Sequence, residues 1–66
     1  MATVITLKTD NQGNELLAMV DIEEERDKIV LQYIINNKLT NVVEYPFNET
    51  LVKIFKDIEV EIDKHL

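Results

Sequence analysis

Ile29-Val30-Leu31-Gln32-Tyr33-Ile34-Ile35 is the densest apolar run in the chain. As a helix it would be greasy all the way round, with no polar face to turn to water. A chain of 66 residues has little protein with which to bury such a helix. Its β-branched residues and its tyrosine suit a strand instead. The run therefore predicts a strand with two apolar faces. If Asn36-Asn37-Lys38 is a three-residue turn, the next strand returns from Leu39 to Tyr45. Ile35 then opposes Leu39, Tyr33 opposes Asn41, Leu31 opposes Val43 and Ile29 opposes Tyr45. One face collects Ile29, Leu31, Tyr33, Ile35, Leu39, Val43 and Tyr45. The other takes Gln32, Thr40 and Glu44 along with Val30, Ile34 and Val42.

Upstream, Thr3–Thr9 alternates and is β-branched, as a strand should be. Asp10-Asn11-Gln12-Gly13-Asn14 is a turn, with the chain's one glycine placed to take a left-handed conformation. Glu15–Ile22 returns as the partner strand, pairing Leu7 with Leu17 and Ile5 with Met19, and placing Val4 and Val20 on the opposite face. Glu23–Lys28 is a charged connection. Asp21 and Glu24 have capping-box spacing, and Glu24 and Lys28 are a favourable i,i+4 pair. A helix beginning there is the competing reading.

Downstream, Pro46 closes the fourth strand. Asn48 is a suitable helix N-cap, with Phe47 and Val52 in staple positions. Leu51, Phe55, Ile58, Ile62 and Leu66 form an apolar stripe at helical spacing. Lys64 and His65 lie in the last turn, where the dipole favours positive charge. The predicted architecture is a single α+β domain over 1–66: two β-hairpins, β-β-β-β, forming a small antiparallel sheet with one C-terminal amphipathic helix. The alternative order is β-β-α-β-α.

Composition narrows the function. Thirteen acids oppose seven bases, for a net charge of −6. That balance excludes direct nucleic-acid binding, which needs a basic footprint. It favours a protein partner with a basic surface. There is no cysteine and one histidine, so disulfides, thiolate metal sites and structural zinc are not expected. No Gly-rich phosphate loop or nucleophile motif is present, so no cofactor and no catalytic residue are assigned. No apolar run has the length of a membrane span, and no targeting signal is visible, so the cytoplasm is the expected compartment. The Ile-, Lys- and Asn-rich composition suggests a low-GC bacterium or its phage.

Two groups of acids are candidate contact residues: Glu23, Glu24, Glu25 and Asp27 in the connection, and Asp57, Glu59, Glu61 and Asp63 on the helix. A second candidate surface is apolar and aromatic. One helix covers one face of a sheet, so Val30, Ile34 and Val42 are left for a partner or a dimer, with Tyr45 and Phe47 at the strand-to-helix corner. The expected function is a small acidic, non-enzymatic interaction module. It would act as an inhibitor or adaptor for a basic or nucleic-acid-binding partner protein, and it would be a homodimer. Two further readings are an oligomeric small-ligand binder with a pocket between subunits and a structural subunit of a larger assembly.

Overall fold

The structure, a computed structural model, describes residues 2–66. Four strands, β1 (Ala2–Thr9), β2 (Glu15–Glu23), β3 (Lys28–Ile35) and β4 (Lys38–Pro46), are followed by one helix, α1 (Leu51–His65). The strands form one antiparallel sheet in sequential order, β1-β2-β3-β4. This is the α+β architecture expected from the sequence. The stretch from Ile29 to Ile35 is an inner strand, hydrogen-bonded on both sides. The Glu23–Lys28 connection is a short 3-10 turn at Glu24–Arg26 and not the start of a helix. Asp27 then takes a left-handed conformation at φ 56 to turn the chain into β3.

The helix packs on the face that carries Leu16, Ala18 and Val20 of β2, Ile29, Leu31 and Tyr33 of β3, and Tyr45 of β4. Ile54 and Ile58 complete that core, and Ile62 and Leu66 extend it half-buried. Ile58, Ile62 and Leu66 of the expected stripe thus face the core, and toward the start of the helix Ile54 takes the place of Leu51 and Phe55. Leu51 and Phe55 are exposed at its margin. The helix begins later than expected. The Pro46 carbonyl accepts a bond from the Glu49 N–H, closing a turn ahead of it. Thr50, not Asn48, is the N-cap, and its hydroxyl accepts from the Lys53 N–H at 3.4 Å. Phe47 and Val52, expected as a staple, are both exposed.

Each edge strand carries a β-bulge that moves side chains between faces. In β1, Val4 pairs with Met19 and Thr6 with Ala18, so Ile5 is the extra residue. Ile5 therefore packs against the core and does not oppose Met19. Val4 shares the helix-free face with Leu7, and Val20 is core. In β4, Ile34 pairs with Leu39 and Tyr33 with Asn41, leaving Thr40 extra. The β3–β4 turn has two residues, because Ile35 pairs with Lys38. Asn36 and Asn37 both have positive φ, 51 and 67, as a type I′ turn requires. A two-residue turn plus one bulge restores the register that a three-residue turn gives. Leu31–Val43 and Ile29–Tyr45 are therefore paired as expected, while Leu39 lies on the opposite face from its predicted one.

The two hairpin turns are tied to each other. Asp10 Oδ1 accepts from the Gln12 and Asn14 N–H groups, and Gly13 adopts φ 86. Asn36 Oδ1 accepts from the Glu15 N–H at 2.8 Å, and its Nδ2 donates to Asn14 Oδ1 at 3.2 Å. Asn36 therefore serves a left-handed backbone and a cross-hairpin link at once. Asn36→Gly keeps the backbone and loses the link, costing about 1 kcal/mol. Asn36→Val adds left-handed strain and costs at least about 2 kcal/mol. Asn37→Gly is neutral or slightly stabilising. Urea midpoints check this order; equal loss in Asn36→Gly and Asn36→Val would contradict it.

Candidate interaction surface

On the helix side, one cross-strand row runs Ile22–Ile29–Tyr45. Cover is uneven along it: Ile22 is 53% exposed, whereas Ile29 and Tyr45 are each 7% exposed. At the covered end of this row the helix is tied to β4 by a side-chain bond. The Tyr45 hydroxyl donates to Asp57 Oδ2 at 2.6 Å, and Lys53 Nζ pairs with Asp57 Oδ1 at 2.9 Å. What stays open is the corner between β1, β2 and the first turns of α1. A groove of about 270 Å³ lies there, lined by Thr3, Ile5, Val20, Ile22, Leu51 and Phe55.

A second concavity, of about 400 Å³, adjoins it and is lined by Asp21, Ile22, Glu23, Glu24, Glu25 and Arg26. Ile22 is common to both, so the apolar groove borders the acidic turn at that residue. Within that turn Glu23 is paired with Arg26 at 2.9 Å. Glu24, Glu25 and Asp27 are exposed.

The acids on the helix do not form a single patch. Asp57 and Glu61 face the tyrosines of the sheet. Burial lifts the Tyr33 hydroxyl to about 12, and the charges of Glu61 and then Asp57 push it the same way. Tyr45 is likewise raised, by burial first and by its bond to Asp57 next. The Asp57 carboxyl is held below its usual value by the Tyr45 hydrogen bond and then by Lys53. Glu61 is in ion-pair reach of His65 at 3.2 Å and Lys64 at 3.7 Å. Glu59 and Asp63 are exposed, away from this cluster. Tyr45, expected at a contact surface, is instead sealed into the core by the row that pairs it with Ile29. Its ring cannot anchor a partner. Phe47 remains exposed at 42%.

The helix-free face carries the residues left over. Leu7, Leu17, Ile34 and Leu39 form one row across all four strands, and Val4, Met19, Gln32 and Val42 form the next. Val30 follows beside Gln32 and is buried, outside the core cluster. Ile34 is half-buried, and Val42 is 45% exposed. The Lys28–Glu44 ion pair, at 2.6 Å, bounds the apolar rows on one side. It holds the Glu44 carboxyl low.

Leu7, Leu17, Met19 and Leu39 belong to this surface, and Ile22, Leu51 and Phe55 to the groove; from the sequence alone none of them is assigned to a contact surface. The bulge at Thr40 moves Leu39 onto this face. Leu51 and Phe55 read as core by their spacing, but Ile54 fills that place. Among the described residues, no group of His, Asp and Glu is placed to hold a metal ion. No helix among the described residues is long and apolar enough to cross a membrane. No family model, curated protein or solved structure matches the chain.

The tyrosine–carboxylate cluster makes a paired prediction. Tyr45→Phe removes a charge-assisted bond and costs about 1–2 kcal/mol near neutral pH. Asp57 has a lowered folded value, so its contribution is present above about pH 4 and is lost as pH falls through the folded value. The deficit of Tyr45→Phe therefore shrinks in acid. The Tyr33 hydroxyl is buried with no hydrogen-bond partner among the described residues, so Tyr33→Phe is neutral or stabilising at pH 7. Its raised value means that folding keeps Tyr33 protonated, so the stability present below about pH 10 is eroded as pH rises toward 12. Tyr33→Phe removes that part of the alkaline loss. Chemical denaturation across pH measures both.

Proposed function

We propose that this chain is a small, acidic, non-enzymatic interaction module that engages a partner protein through a basic surface bearing an apolar anchor. The observation that carries this reading is the shared wall at Ile22, where the groove under Leu51 and Phe55 borders the turn that carries the exposed Glu24 and Glu25. An apolar side chain that enters the groove brings its neighbours against those carboxylates. If the neighbours are Arg or Lys, the rim attracts them; if they are acidic, it repels them. Desolvation in the groove supplies affinity, and the acidic rim together with the net charge of −6 supplies steering and selectivity.

A partner that grips nucleic acid has a surface of this kind, since phosphate binding demands clustered Lys and Arg. Occupying it would make the module an inhibitor, and bridging it to another protein would make it an adaptor. The cysteine-free composition supports a reducing, cytoplasmic setting.

The test uses two synthetic amphipathic peptides with the same Leu and Phe anchors, one flanked by Arg and Lys and one by Glu. The basic peptide is expected to bind and to shift the NMR signals of Ile22, Leu51 and Phe55. Phe55→Ser should weaken it by about tenfold. The double variant E24K/E25K should slow association and flatten its salt dependence. Equal binding of both peptides, or shifts confined to another surface, would overturn the reading. Binding of uncharged apolar molecules without regard to flanking charge would favour a small-ligand site instead.

A further inference from the structure

We infer that the helix-free face of the sheet is covered by a second copy of this chain, packed sheet to sheet about a two-fold axis that passes beside Gln32. This surface is separate from the groove and lies on the opposite side of the sheet.

Three observations support a second copy as the occupant. The first is that both edges are blunted. β1 carries the bulge at Ile5, and β4 carries the bulge at Thr40 and ends in Pro46, which has no N–H to donate. Edge-to-edge pairing is thereby disfavoured, and self-association has to use a face.

The second is size. Four strands at the usual spacing, each eight or nine residues long, present about 500–600 Å² in plan. Two such faces bury upward of about 1,000 Å² together, enough for a specific interface. The apolar rows Leu7–Leu17–Ile34–Leu39 and Val4–Met19–Gln32–Val42 provide its centre.

The third is the one amide within those rows. Gln32 is half-buried between Met19 and Val42, neither of which carries an amide or hydroxyl. An amide is both donor and acceptor, so it is its own complement across a two-fold axis. With the axis running along the strands between β2 and β3, the rows Leu7–Leu39 of the two copies stack on each other. The two Gln32 side chains then lie on either side of the axis, where they pair. A single polar pair in an apolar interface fixes its register, as a buried Asn does between helices. The acidic turns at Glu24 and Glu25 come to the same end of this dimer, so added salt strengthens it.

Sedimentation equilibrium over micromolar to millimolar protein tests the arrangement. Wild type is expected to pass from monomer to dimer, and to do so at lower concentration in high salt. Leu39→Lys and Val42→Lys replace exposed side chains and reduce the net negative charge. They are expected to stay monomeric, with unchanged circular dichroism. Gln32→Glu places two carboxylates side by side, so it is expected to be monomeric at neutral pH and to dimerise again in mild acid. Phe55→Ser, in the groove, is expected to leave the dimer intact. A wild type that is monomeric throughout overturns the proposal, as does a dimer indifferent to Leu39→Lys and Val42→Lys. A Gln32→Glu dimer as stable at neutral pH as wild type overturns the placement of the axis.

Discussion

A sheet has two faces, and this chain has one helix with which to cover them. That constraint governs the rest of the structure. β3 is inner on both sides, and its successive residues Val30 and Leu31 are both buried, one on each face. A strand of that kind needs apolar cover above and below. The helix supplies it above, through Ile54 and Ile58. Below, the described residues supply neighbouring side chains and the ion pair of Lys28 with Glu44. Small domains gain relatively little from burial, so leaving two apolar rows in water is costly.

How the helix docks decides where the molecule stays open on its covered side. The helix lies against β2, over the buried Leu16, Ala18 and Val20, and the bond from Tyr45 to Asp57 ties it to β4. The β1–β2 corner is left with Ile22, Leu51 and Phe55 partly in solvent. The acids on the inner side of the helix are thus structural, and the exposed Glu24, Glu25 and Asp27 are the ones available to another molecule. Charge that looks like one acidic population in the composition is divided by geometry into two roles.

The order of elements was legible in the sequence because several local signals agreed. The Ile29–Ile35 run rejected a helix, Gly13 marked the first turn, and the stripe over the last third required a helix. The pairs Leu31–Val43 and Ile29–Tyr45 could be read for the same reason. The bulges could not. A two-residue turn with a bulge at Thr40 and a three-residue turn without one give the same register beyond the bulge, and differ only in the face on which Leu39 lies. At Ile5 no glycine or proline marks the extra residue. The helix start was misplaced because Asn48 is as good a cap by type as Thr50; the turn closed by the Pro46 carbonyl decides between them. Of the candidate site, the acidic turn and the apolar face were visible as residues. The groove was not, because it depends on where the helix docks on the sheet.

The central claim is that the chain has one face closed by its own helix and a second closed by another copy. Intermolecular NOEs in a sample mixed from isotope-labelled and unlabelled chains test it most directly. The account predicts contacts between copies among the methyls of Leu17, Ile34, Leu39 and Val42 and the side-chain amide of Gln32, and none from Ile54 or Ile58. Intermolecular contacts from the outer helix surface, or none at any concentration, would contradict it.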